Sequence, residues 1–518
     1  MRKYTLILLT IAVTLAGIPA LIFFQNRLAD TVVENKLQTA DFAEDGGAPP
    51  EVAISTIFLG GFRNILINFL WLRMTNLQSQ GKYYEMVQLA NWILSVQPDN
   101  SQVAQFLGWN MAYNISVVHP ERDTRWRWIR SGIRTLQKAI TLNPNEIMLY
   151  RELGWIFQHK VGDELDDHHL YYKYLLAKEL YTLYGNRLEP DWDALSKAPA
   201  DKDAFLKRFP ENAPVWRIAG KTFDDMLKSY IETGTLPEQA MGSLKGEDPA
   251  VFRAGMARLA LKKQFDIDPE IVQEVDATYG KLCWLLPESF AIYWGHQGIK
   301  ASRGEDEIEC RRIVAQSLKI SFSMGNILFL NGEPEEYYLR TPNMNVFDSA
   351  TKTFTDMYEE LQAEGSVQQN IAYGVFLQEC LITYYLHGDY AGAQKCYKLL
   401  QELEFENAQH MSLQRFLDQR MRFLINHGTY NQIHSILVTL VLRAVYAYAN
   451  GDRETAAYQL ELAAHIHKVY AKRNKDIAFK DRLKQVSLRQ IKETIVAHLR
   501  QKKPELASWL ESALEAMN

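Results

Sequence analysis

Cysteine is scarce: four in 518 residues, too few for a disulfide framework. Glycine (28) and proline (17) are also sparse, which argues against a β-propeller or a many-turned sandwich. There is no excess of positive charge. The formal charge is -5, so the overall basic character that would wrap nucleic acid is missing. The chain holds no G-x-x-x-x-G-K-[ST], no G-x-G-x-x-G after a strand and no G-x-S-x-G, and it reads as a non-enzyme with no cofactor. What it does have is apolar mass. At 47% hydrophobic residues it can bury a large core, which excludes a disordered chain.

Arg2 and Lys3 precede an uncharged run from Tyr4 to Phe24, 21 residues long. About 20 apolar residues span a bilayer as a helix. A secretory signal is shorter and ends in small residues. Thr14-Leu15-Ala16 offers a weak cleavage site, but Leu21-Ile22-Phe23-Phe24 carry the run past it. Residues 1–24 are therefore read as an uncleaved anchor, with a cleaved signal as the alternative. The two leading cations place the N-terminus in the cytoplasm and the body outside it. The expected address is the bacterial inner membrane, single-pass, with the body periplasmic. Residues 25–52 form a polar tether ending in Gly46-Gly47-Ala48-Pro49-Pro50. A second apolar stretch, 53–74, contains Arg63, Asn64 and Asn68. It reads as the first helix of the body, with a membrane-lying helix as the alternative.

From residue 67 onward the apolar residues recur three and four apart, the helical period. A longer regularity lies over this one. Gly81-Lys82-Tyr83 opens a segment with Met86, Ala90, Ile93 and Val96, closed by Pro98, and Leu107-Gly108 and Met111 follow. The unit recurs as Gly132, Leu136, Ala139, Leu142 and Pro144, then Tyr150, Leu153, Gly154 and Phe157. Gly388-Asp389-Tyr390, before Ala393, Tyr397 and Leu400, repeats the opening turn. So does Gly451-Asp452-Arg453, before Ala456, Leu460 and Ala463. Weaker units start at Trp216 and near Tyr293.

These spacings resemble the tetratricopeptide repeat, W-x2-L-G-x2-Y, A-x3-F and P on a 34-residue period. The resemblance implies an all-α fold, a TPR-like solenoid of stacked antiparallel helix pairs that docks proteins on its concave face. The period is broken, however. Pro98 and Pro144 lie 46 residues apart, an insertion of about twelve residues placed between Tyr113 and Arg125. Segments 53–185 and 371–470 are read as repeats, 186–370 as a divergent helical middle region and 471–518 as basic capping helices.

Three constellations are candidates for chemistry. Trp109, Asn110, Tyr113 and Asn114 on one helix, with Arg127, Trp128 and Arg130 on the next, are the expected partner-binding residues. The aromatic and basic patch around Trp126 and Trp128 supports a second reading, a module for envelope glycan or lipid. Asp166, Asp167, His168 and His169 are weak metal candidates. Their spacing matches no ligand motif, and an aspartate there more simply caps a helix. Cys380 and Cys396 fall on adjacent helices and are read either as a disulfide or as two buried thiols. The function expected is a membrane-anchored scaffold for a protein partner in envelope, secretion or pilus-related assembly. No nucleic-acid partner is expected.

Overall fold

The computed structural model describes residues 63–302, 307–328, 338–363, 368–474 and 487–515. The run 4–24 and the tether lie outside the described residues. The described chain is almost wholly helical, as expected for an all-α protein. One two-stranded antiparallel ribbon interrupts it, Asn326–Leu328 against Leu339–Thr341, with Ile327 opposite Arg340. The chain divides into two compact units, one up to Asn143 and one from Pro144.

In the first unit Arg63–Ser79 pairs with Tyr83–Val96, and Ser101–Trp109 with Arg122–Leu142. The described part of the 53–74 stretch is a body helix that buries Ile67, Leu70 and Met74 in the unit's core beside Trp92 and Leu107. Between Ser101–Trp109 and Arg122–Leu142 the segment expected to be an insertion is partly helical. Ser101–Trp109 runs on as a π-helical stretch, Asn110–Ile115, and a 3₁₀ turn, Ser116–Val118. Gly108 and Gly132 let the two helices close up: a Cβ built on Gly132 would lie 2.6 Å from the Gly108 carbonyl.

Three pairs share one turn. In Arg63–Ser79/Tyr83–Val96, Gln368–Leu386/Tyr390–Glu402 and Tyr430–Ala449/Arg453–Asn474 the connection carries a glycine at φ between +71° and +83°. The amide after each glycine reaches back five residues, Lys82 to Leu77, Asp389 to Tyr384 and Asp452 to Ala447, at 2.9–3.0 Å. This is the Schellman ending of a helix, and only glycine adopts that φ without strain. Asp389 and Asp452 then cap the next helix through the amides of Gly392 and Thr455, at 2.8 and 3.0 Å.

In the second unit the partner of the Leu153-Gly154 helix is remote in sequence. Ile147–Trp155 continues as a second π-helical stretch, Ile156–Val161, and packs on Pro287–Ala301 and Ile308–Met324. Gly154 faces the Ala291 carbonyl and Ile313, and Gly295 and Gly298 face Cys310. The helices between them form an inserted block with an aromatic centre of Phe205, Phe209, Trp216, Phe223 and Phe252, their rings 5.0–6.3 Å apart. Trp216 lies on a six-residue helix, Pro214–Ala219, inside that block. Further along, Tyr430–Ala449 is the one helix among the described residues long and apolar enough to cross a membrane. It lies in the body and is mostly buried there.

A buried polar hub as candidate functional site

The segment Glu164–His169 leads into the helix His169–Leu183, which starts where the aspartates predict, but its N-cap residue is His168 and neither aspartate makes the capping bond. Asp166 Oδ1 accepts from the His168 amide at 3.0 Å and from the Tyr172 hydroxyl at 3.1 Å. Its Oδ2 takes the Lys160 ammonium at 2.6 Å, with both side chains nearly buried. Desolvation pushes the Asp166 carboxyl up, but Lys160 and the hydrogen bonds together outweigh it and hold the group below its ordinary value.

The metal candidates do not converge. Asp166 is held by Lys160, and His169 Nδ1 by the Lys173 ammonium at 2.8 Å, so the two best ligands have their lone pairs engaged. Among the described residues no three His, Cys, Asp or Glu side chains gather to hold a metal.

Beyond Lys173 the polar groups continue inward. Lys173 is 3% exposed and donates to the Asp163 carbonyl at 3.1 Å. His169 meets Tyr430 edge to face, and Tyr430 stacks on His434, each with centroids 5.8 Å apart. Arg340, on the ribbon, donates Nε to the Met324 carbonyl at 2.7 Å and sets Nη2 3.0 Å from Glu288 Oε2, both side chains buried. Burial, reinforced by Arg340, pushes Lys173 down to about 8. Burial, with Arg340 and Lys173 adding to it, pushes His434 down to about 4. Lys173, Arg340, His434, Tyr338 and Asn431 border a cavity of about 20 Å³.

A larger cleft of about 230 Å³ shares Met324 and Asn431 with that cavity. It opens between the helices Ile308–Met324, Gln368–Leu386, Leu413–His427 and Tyr430–Ala449. Ile320, Ile382, Leu386 and Ile436 give it apolar walls. A polar chain crosses it: Glu379 Oε1 receives the Gln432 side-chain amide at 2.9 Å and stands 3.2 Å from Lys319 Nζ. None of the cleft's residues stood out in the sequence, because they come from four separate helices with no common motif.

The partner-binding candidates of the first unit divide by burial. Asn110 is wholly buried, its Oδ1 accepting from Gln78 and Asn114 at 2.8 Å each. Trp128 and Arg130 are core residues, 3% and 5% exposed, so Arg130 is not a solvated groove residue. Trp109 stays accessible and stacks on the half-buried Tyr113 at 5.5 Å, and Arg127 is exposed. Trp126 is buried as well, so neither tryptophan of the predicted glycan- or lipid-binding patch lies at the surface. Cys380 and Cys396 are free buried thiols, and burial pushes Cys396 up to about 12.

A scan of protein-family models finds no match to the chain, and a search of curated proteins finds no similar sequence.

Proposed function

We propose that the chain is a membrane-anchored, tetratricopeptide-like scaffold that docks a segment of another protein, with the body outside the cytoplasm in a bacterial envelope, secretion or pilus-related assembly. The observation that carries the reading is the cleft of about 230 Å³ among four helices. A recess with aliphatic walls and a polar chain suits an anchor side chain of a partner, the kind of contact that dominates protein interfaces. The accessible Trp109–Tyr113 stack in the first unit supplies a second contact, this one aromatic.

The test is in-cell cross-linking, purification of the tagged protein from membranes and mass spectrometry. Thr383 is a half-buried residue of the cleft. Thr383→Trp should fill the recess and deplete the co-purifying envelope proteins at least about tenfold, a loss of about 1.4 kcal/mol. Its helical circular dichroism should stay that of the wild type. Unchanged co-purification in Thr383→Trp and in Trp109→Ala sinks the reading.

A further inference from the structure

The helix Arg63–Ser79 carries apolar side chains on two faces. Ile67, Leu70, Met74 and Leu77 are buried in the core of the first unit. Ile65 and Leu72, 59% and 68% exposed, form a second stripe with the half-buried Phe69 between them. The three fall about one turn apart, which puts them on one side of the helix. We propose that this outer stripe rests on the lipid bilayer, with Arg63–Ser79 lying along the membrane surface. The proposal rests on residues 4–24 being an anchor.

A scattered exposed leucine is ordinary, but a stripe at helical spacing is a contact face. Charge points to lipid as what covers it. Trp71 of this helix meets Phe106 of its neighbour at 5.4 Å. Neither Arg63–Ser79 nor the neighbouring residues 101–118 contain an Asp or Glu, although these are 62 of the chain's 518 residues. Arg73, half-buried and next to Leu72 in the sequence, has no ion pair among the described residues. Anionic head groups attract arginine, and its long side chain reaches the phosphates while the stem stays on apolar surface.

Area separates a bilayer from a protein. A stable protein interface needs about 800 Å² from each partner. Two exposed side chains and one half-buried one do not supply it. A bilayer to which the chain is already tied needs far less, because the tether makes the contact intramolecular, at high effective concentration. The sequence 52–62, which leads directly into the helix, is uncharged, so no charged segment has to be held at the membrane to bring the stripe there.

The test replaces Ile65, Leu72 or Leu142 in the full chain by the photo-crosslinking residue p-benzoylphenylalanine. Leu142, 45% exposed at the end of Arg122–Leu142 in the same unit, is the matched apolar control. Each purified protein is reconstituted into vesicles of phosphatidylcholine and phosphatidylglycerol, irradiated and read by mass spectrometry, and the irradiation is repeated in intact cells. The variants at 65 and 72 should carry phospholipid adducts and the variant at 142 none, all with the circular dichroism of the wild type. Adducts to polypeptide alone, equal lipid adducts at all three positions, or no adduct at 65 and 72 overturn the proposal. Alkaline carbonate extraction of the same full chain reads the anchor separately. Retention in the membrane without lipid adducts at 65 and 72 refutes the surface contact and leaves the anchor standing, whereas release removes the anchor and the contact with it.

Discussion

Asp166 shows how much one carboxylate holds in place. It ties the π-helical stretch Ile156–Val161, through Lys160, to the start of His169–Leu183, through the His168 amide and the Tyr172 hydroxyl. Removing its charge takes this counter-ion from the buried Lys160 ammonium, and breaking a buried pair costs about 3–5 kcal/mol. Asp166→Asn should lower stability by about 3 kcal/mol in urea unfolding at pH 7. Because the Asp166 carboxyl sits below its ordinary value, its contribution is present above the unfolded carboxyl's range and is lost as pH falls through the folded value. His434 acts in a higher window. It is pushed down to about 4, so between pH 6.5 and 4 the unfolded chain takes up a proton that the folded chain refuses. Stability must therefore fall as pH drops through that range. Wild type should lose about 2 kcal/mol more than His434→Phe between pH 7 and pH 5, read from paired urea titrations. The sequence marks Asp166 and His169 as unusual but not what they do, since Lys173, Arg340, Glu288 and His434 reach the hub from places up to 261 residues apart.

Helices and turns were more legible. The glycine turns at 81, 388 and 451 could be read directly because their chemistry is local: a helix end that needs positive φ, followed by a cap. Asp389→Ala and Asp452→Ala should each cost about 1 kcal/mol. The caps sit on different helix pairs and share no partner, so the double variant should cost the sum of the two in thermal or urea unfolding. The start of Tyr430–Ala449 is more heavily secured. Thr429 and Gln432 form a reciprocal capping box, and Glu164 Oε2 accepts from the Asn431 amide at 3.0 Å. The box is a contact three residues long, whereas the third contact comes from 267 residues away. The partner of Gly154 escapes sequence reading for the same reason: its small surface announces a close neighbour and does not say that the neighbour is Pro287–Ala301.

At the scale of the whole chain, the periodicity makes the helix pairs legible, and the block between Ile147–Trp155 and Pro287–Ala301 separates helices that pack together. The proposal that the chain is anchored rests on residues 4–24 and has a direct check. The full chain should stay with membranes through alkaline carbonate extraction, and a version lacking residues 1–24 should be released. Release of both would leave the Trp109–Tyr113 stack and the cleft as features of an unanchored protein.

The helix Tyr430–Ala449 has a consequence for how the protein is made. In the folded unit it is a core element, and Arg443 sits at its edge donating to the Leu386 carbonyl at 2.6 Å. On the proposed export route the segment enters the secretion channel before any neighbour exists to cover it, and the channel weighs only its hydropathy. One arginine disfavours lateral release into lipid by about 2.5–3.5 kcal/mol at the centre of a span and by less at Arg443, a turn away from it. Arg443, together with His434 near the start, would thus keep a core helix from being left behind in the bilayer, a duty that ends when the fold closes around it.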